Sequence, residues 1–344
     1  MFRTLHRLSR YNINHNNYYH TFANRHIGIK DHEIRPMLKI CNTKTMNDLI
    51  TETIPDINKH ILKETPSIKE SDTVKKIKQI MDKNIQPNNY IGMGYTSSIL
   101  PDVIKRNILE NPRWYTAYTP YQSEISQGRL ESLNNYQTVI TDLTGLDISN
   151  ASLLDEASSA GEVVNMFVNI TKNKKHRLFC SSKIHPYILD VIKTKTNILN
   201  IELNVCDIST LDETELDNNT LGVMFQYPDT YGNIDIPFKL LEICRNKNIL
   251  TACNTNLLAL TKFISPGELG VDIAYGNAMN LGVPLWFGGP HPAFISCKHK
   301  YIRQVPGRII GESVDTRNNK AYRIGLQTRE QHIKRDKATS NICT

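Results

Sequence analysis

Residues 221–256 read LGVMFQYPDTYGNIDIPFKLLEICRNKNILTACNTN, and the order of elements in this stretch decides the fold. Leu221 to Gln226 is a largely apolar run of strand length, the mark of a strand buried on both faces, and Tyr227-Pro228-Asp229 ends it. Phe238 to Asn246 has helical spacing, and Ile249 to Cys253 is a second short strand that ends at Asn254-Thr255-Asn256. Outward from this core, Arg177 to Cys180 reads as a strand, Pro186 to Lys193 as a helix, Ile198 to Val205 as a strand and Ile273 to Gly276 as a short strand. Strands that alternate with helices predict a three-layer α/β domain with a mostly parallel sheet.

Upstream, Leu130, Leu133, Tyr136, Ile140 and Leu143 repeat at three or four residues, and Gly145 stands where a helix C-cap would. Ser152-Leu-Leu-Asp155 precedes a second helix carrying Val163, Val164, Phe167 and Ile170. Residues 86–121 are dense in Gly, Pro, Tyr and Trp with weak periodicity, and read as extended aromatic loops that pack on a partner or line a pocket. Residues 31–85 read as short helices between Pro and Asn breaks. Thr45 to Asp48 caps a helix with Leu49 and Ile50 that ends near Pro55, and Val74, Ile77, Ile80 and Met81 are helically spaced. At the other end, Gln327 to Thr339 reads as a helix of alternating charge, a solvated or partner-facing surface.

The chain has 344 residues, 40% hydrophobic and 22% charged, and a net charge of +7. Residues 1–30 hold five basic residues and no acid, which leaves the body near neutral and gives a nucleic-acid role little electrostatic support. No apolar run reaches the length of a membrane span. Phe2, Leu5 and Leu8 share one helical face and Arg3, Arg7 and Arg10 the opposite one, as in a mitochondrial transit peptide; the alternative is a disordered basic tail. Seven widely spaced cysteines without a C-x-x-C pair indicate neither a disulfide framework nor a zinc site.

Open α/β sheets bind ligands at the C-terminal ends of their strands. Three such ends here are chemically loaded: Gln226 to Asp229, Asn254 to Asn256, and Asn277 through Gly289 with His291 just beyond. Gly288-Gly289-Pro290-His291 is a structural turn or a backbone nest for an anion. Ser158 and Ser159, near a helix start, are phosphate candidates or ordinary capping residues. His185, His291 and His332 are isolated in sequence and read as structural histidines.

Several blocks carry a family resemblance. They include Arg25 to Gly28 (RHIG), Tyr90 to Thr96 (YIGMGYT), Asn107 to Trp114 (NILENPRW), Tyr115 to Ser123 (YTAYTPYQS) and Glu124 to Ser132 (EISQGRLES). Asp142 to Asp147 (DLTGLD), Asn150 to Ser159 (NASLLDEASS) and Gly282 to Pro292 (GVPLWFGGPHP) continue it, as do Pro306 to Thr316 (PGRIIGESVDT) and Gln327 to Thr344. In this order they resemble the N-terminal half of the P-protein family of the glycine cleavage system, a glycine dehydrogenase (decarboxylating). The resemblance implies an aspartate-aminotransferase-like large domain of pyridoxal-phosphate fold type I behind a helical N-terminal lead-in. Residues 1–24 are then a transit peptide, 25–85 the lead-in, 86–122 the aromatic loop region and 123–344 the α/β domain. It also implies glycine decarboxylation, in which the pyridoxal phosphate ring accepts electrons as CO2 leaves, and transfer of the aminomethyl group to the lipoyl group of the H-protein.

Two positions depart from a complete site. Met279 stands where the family's other half has its Schiff-base lysine, and Asn256 where an Asp would face the ring nitrogen. Lys262 and Lys298 are near in sequence but do not follow the family pattern. The resemblance therefore implies that pyridoxal phosphate is bound covalently by a partner, the C-terminal half of a P-protein or a full-length P-protein, in the mitochondrial matrix. This chain would supply Tyr95, Thr96, Tyr118, Tyr121, Gln122 and His291 toward glycine, the cofactor or the lipoyl arm; core or interface packing is the other reading of each. The family's block runs on past Thr344, so a C-terminal small domain is expected to follow. The alternative function is an inactive fragment that only binds partners of the same complex.

Overall fold

The computed structural model describes residues 26, 28–54, 66–115, 120, 122–286 and 288–326. The basic start, the segment Gln327–Thr339 predicted to be a helix, and His332 lie outside these residues. The chain divides into two compact units, residues 1–89 and 90–344. The first carries helices α1 (Asp31–Ile40), α2 (Met46–Thr53) and α3 (Glu70–Met81). Helix α2 starts as its sequence predicts: Thr45 Oγ1 accepts the Asp48 N–H at 3.1 Å, and the Asp48 carboxylate accepts the Thr45 N–H at 2.9 Å.

In the second unit, α4 (Asp102–Leu109) and α5 (Pro112–Tyr115) occupy a region whose weak periodicity predicts extended loops. Pro101 and Asp102 open α4, and Val103, Ile104 and Ile108 share one face, but eight residues are too few for a period to stand out. These three side chains and Leu109 are exposed. Helix α6 (Gln127–Thr144) ends where Gly145 takes φ 65°, the left-handed cap conformation. Then follow β1 (Ile148–Ser149), α7 (Glu156–Ile170), β2 (Arg177–Ser181), α8 (Pro186–Ile198), β3 (Glu202–Cys206) and β4 (Thr220–Tyr227). Helix α9 (Phe238–Asn246), β5 (Leu250–Thr255), β6 (Ile273–Asn277), β7 (Ala293–Cys297), β8 (Ile309–Val314) and β9 (Lys320–Gly325) complete the described elements.

The seven-stranded sheet runs β1-β7-β6-β5-β4-β2-β3. Strands β2 to β6 are mutually parallel, and β7 runs antiparallel to both β6 and β1. Side chains alternate between the faces as the pleat requires. Leu178, Cys180 and Met224 pack with Val163, Phe167, Ile188 and Ile192 of α7 and α8. Phe179, Val223 and Phe225 pack with Ile140 of α6 and with Leu240 and Leu241 of α9. The three-layer architecture follows from that alternation. The six described cysteines are free thiols, and burial pushes Cys244 and Cys297 up to about 12.

The strand predicted over Ile198–Val205 begins later, at Glu202, because α8 runs on to Ile198 and Asn200 turns the chain at φ 53°. The exposed Ile198 lends that segment an apolar look without a buried role. Strands β1, β7, β8 and β9 carry too weak a local signal to be read from sequence. Strands β8 and β9 form a hairpin clamped to α6 by two glutamines. The Gln137 amide donates to Ile310 O at 3.0 Å and accepts the Ile310 N–H at 2.7 Å, while the Gln127 amide makes the same pair of bonds with Tyr322, both at 2.8 Å.

Gly222 lies in β4 directly under α7, and a Cβ there would run into the Phe167 ring. Gly222→Ala should therefore destabilise the domain by about 1–3 kcal/mol, the range for overpacking a core. Urea unfolding should show a lower midpoint at an unchanged slope; an unchanged midpoint would refute tight α7–sheet packing.

Candidate functional site

The parallel strands bring Gln226, Asn254 and Asn277 to one edge of the sheet. Because β7 is antiparallel, it starts at that same edge, where Ala293 pairs with Asn277, so His291 arrives there too. The N-terminus of α7 also faces this edge, capped by Asp155, whose carboxylate accepts the Ser158 N–H at 2.6 Å.

Glu156, the first residue of α7, is 2% exposed and organises the site. Its Oε1 accepts from Asn254 Nδ2 at 2.8 Å, and its Oε2 accepts from Asn277 Nδ2 at 2.9 Å and from the Tyr187 hydroxyl at 2.7 Å. His291 Nε2 lies 3.8 Å from Oε2. Among the described residues no lysine or arginine pairs with this carboxylate. Three neutral side-chain donors, from Asn254, Asn277 and Tyr187, meet it at the N-terminal end of α7.

Around this carboxylate runs a chain of four rings. His185 stacks on Tyr187 at 5.7 Å, Tyr187 meets Tyr95 at 5.5 Å with tilted planes, and Tyr95 stacks on His291 at 4.5 Å and 15°. Burial, followed by the charges of Asp155 and Glu156, raises the Tyr95 phenol; burial and Glu156 raise that of Tyr187 much further. Both hydroxyls stay protonated as donors at neutral pH. His185 is held at each nitrogen: Gln226 Nε2 lies 3.1 Å from its Nε2 and Thr230 Oγ1 3.0 Å from its Nδ1. Gln226 Oε1 accepts the His185 backbone N–H at 2.9 Å, which turns the amide nitrogen toward the ring and makes Nε2 the acceptor. His291 is 4% exposed, yet among the described residues both of its ring nitrogens lack a hydrogen-bond partner.

The loop carrying Tyr95 and Thr96 lies on this edge. Gly94, at φ 84°, sits against the Tyr187 hydroxyl and the His185 ring, where a Cβ would come within 3.1 and 3.2 Å of them. Thr96 Oγ1 donates to Asn280 Oδ1 at 2.8 Å, and Ser98 Oγ donates to Met279 O at 2.9 Å. The structure thus brings Tyr95, Thr96 and His291 together. Gln122 is exposed beside the short turn Ser123–Ile125, and no described contact joins it to the cluster; Tyr118 and Tyr121 lie outside the described residues. Gly289 takes φ 59° and donates to Leu285 O at 2.7 Å, the geometry of a turn. Ser159 is buried and its hydroxyl donates to Glu156 O at 2.6 Å, so this helix start is built as a capped terminus. Sequence reading did not single out Glu156, Tyr187 or the inward role of Asn254. The acidic pair Asp155-Glu156 opening an apolar helix was the available signal.

The residues at this edge do not fit pyridoxal phosphate. Met279 is fully buried and offers a thioether where an amine is needed. The strand-end residue that faces the site is Asn254, whose amide nitrogen is given to Glu156. Asn256 lies past the strand, and its Oδ1 accepts the Leu258 and Ala259 N–H groups at 2.9 and 3.3 Å. A phosphate at the α7 N-terminus would face the carboxylates of Asp155 and Glu156. Lys298 is no substitute: it binds Asp272 at 2.8 Å and Gly270 O at 2.9 Å, beside the starts of the parallel strands.

Burial lowers the His185 imidazole below its ordinary 6.5, against the pull of Glu156. A histidine lowered in the folded state adds stability that is complete above the unfolded value and lost as pH falls through the folded one. The thermal midpoint should fall on acidification from about pH 7 to about pH 5, and His185→Asn should make that fall shallower; an unchanged slope would count against a neutral His185.

The family model described as glycine cleavage system P-protein matches residues 24–344. A glycine dehydrogenase (decarboxylating) of Nostoc sp. is 48% identical over 325 residues, covering 94% of this chain and 33% of its own length. The mitochondrial enzyme of that name from Dictyostelium discoideum is 48% identical over 337 residues, 94% and 34% of the two chains. The chain therefore spans about a third of the length of the curated relatives it matches. Among solved structures, an inhibitor-bound glycine decarboxylase (P-protein) superposes with TM-score 0.80 at 29% identity, over 92% of this chain and 72% of that one. A Burkholderia pseudomallei sphingosine-1-phosphate lyase shares the fold alone, with TM-score 0.50 at 10% identity, over 83% and 73% of the chains. The sheet order agrees with this fold type I architecture of pyridoxal-phosphate enzymes, and the chain belongs to the glycine cleavage system P-protein family.

Proposed function

We propose that this chain is the N-terminal half of a glycine dehydrogenase (decarboxylating) and completes the active site of a lysine-bearing half. The observation that carries this reading is the pairing of a well-ordered strand-end site with the absence of an amine at Met279. The lysine-bearing half, a C-terminal P-protein half or a full-length P-protein, holds the pyridoxal phosphate. This chain contributes Tyr95, Thr96 and His291, with Tyr118, Tyr121 and Gln122, toward glycine or toward the lipoyl arm of the H-protein. The overall reaction is glycine decarboxylation with transfer of the aminomethyl group to that arm, in the mitochondrial matrix. Exposed Val103, Ile104, Ile108 and Leu109 on α4 offer apolar surface suited to a partner. The alternative, an inactive partner-binding fragment of the same complex, is separated by the test.

That test measures pyridoxal-phosphate absorbance, borohydride trapping and glycine-dependent CO2 release, for the chain alone and mixed with a lysine-bearing half and lipoylated H-protein. No trapping alone and CO2 release in the mixture are expected. Trapping at a lysine of this chain would refute the assignment, and a bound but inactive mixture would favour the partner-binding reading. Within an active mixture, Tyr95→Phe should lower turnover about tenfold to a hundredfold, the loss of one hydrogen bond to a charged group. Undiminished turnover would remove Tyr95 from the site.

A further inference from the structure

The buried carboxylate of Glu156 reaches the Tyr90–Leu100 loop by three separate routes. Through Tyr187, it holds the hydroxyl against which Gly94 packs and the ring that meets Tyr95. Through His291, 3.8 Å away, it lies beside the ring on which Tyr95 stacks. Through Asn277, it fixes a side chain whose Oδ1 accepts the Met279 N–H at 3.1 Å, and Met279 O in turn accepts the Ser98 hydroxyl. A single carboxylate thus meets Tyr187, the bonded end of β6 and a buried imidazole; Tyr187 and His291 touch the loop directly, and Asn277 reaches it through Met279.

The other contacts of Glu156 do not explain this arrangement. Asn254 alone would satisfy Oε1, and the sheet is already held by its own ladder. A buried carboxylate is costly unless hydrogen-bond donors meet it, so the donors that do meet it are held in place. The Tyr187 hydroxyl and the Asn277 amide have little freedom to turn away, and the loop inherits their positions.

We infer that Glu156 is the positioning residue of this site: its carboxylate seats the loop that presents Tyr95 and Thr96, acting through Tyr187, Asn277 and His291. This inference rests on the proposed function only for what the loop is presented to. The seating itself is a property of the chain alone.

Hydrogen exchange of the full chain, read by mass spectrometry, tests it. Peptides covering residues 90–100 report the loop, and those covering 220–227 and 250–255 report the sheet. Glu156→Gln replaces one carboxylate oxygen with an amide donor, and Tyr187→Phe removes only the hydroxyl while keeping the ring. In both variants the loop should exchange at least about tenfold faster, the loss of one such hydrogen bond, while the sheet keeps its protection. If Glu156→Gln fails to fold, Tyr187→Phe decides alone. An unchanged loop with a protected sheet in Tyr187→Phe would overturn the inference, as would a loop and sheet that lose protection together in that variant. In the mixture with a lysine-bearing half, Tyr187→Phe should lower kcat more than it raises KM for glycine, since that half holds the cofactor to which glycine binds and a displaced Tyr95 alters how the bound group is presented. Because exchange is read on the chain alone, an inactive unmodified mixture would count against the proposed function and not against the seating of the loop.

Discussion

A buried carboxylate with no lysine or arginine paired to it among the described residues is the constraint on which the rest of the site depends. Glu156 must draw its stabilisation from neutral hydrogen-bond donors and from the first turn of its own helix. That requirement explains why Asn254 and Asn277 end adjacent strands with inward amides, and why Tyr187 follows directly on the proline that opens α8. Apolar residues at these positions would leave the buried carboxylate without its donors. An acid at Asn254 would put two carboxylates within hydrogen-bond distance of each other.

The same helix terminus illustrates a competition that recurs in α/β proteins. Free N–H groups and a partial positive charge attract an anion, either a ligand phosphate or a side chain of the protein itself. In this chain the protein's own carboxylates take the place: Asp155 caps the helix and Glu156 folds into the strand-end edge. The architecture is that of a cofactor-binding fold, while the electrostatics at its ligand edge are those of a self-contained hydrogen-bond network.

The sequence made the centre of the sheet legible and its margins much less so. Leu221–Gln226 and Ile249–Cys253 are buried on both faces, so their apolar content needs no partner to be recognised, and Phe238–Asn246 is found with the boundaries its spacing predicts. Strands β7, β8 and β9 are defined by what they pair with, and Gly311 interrupts the apolar run of β8. The polar strand ends were visible as a cluster, which located the site. Glu156 was not, because a glutamate after an N-capping aspartate looks like an ordinary exposed first-turn acid. Only the packing of Tyr187, His291 and two strand ends around it makes it a buried group, and no local pattern encodes that. In the aromatic region composition marked the loops and the family resemblance singled out Tyr95, whereas α4, in the same region, was too short to register.

The two glutamines of α6 bear on how freely the sequence of the β8–β9 hairpin can drift. Gln137 and Gln127 bind the backbone of Ile310 and Tyr322, one on each strand, and their bonds do not depend on which side chains those residues carry. The helix thus addresses the hairpin by position along the strand and not by residue identity. Substitutions on the hairpin's outer face leave the attachment intact, whereas inserting or deleting a single residue in either strand would break it. Lineages of this chain should therefore tolerate change of letters in this hairpin far more readily than change of length.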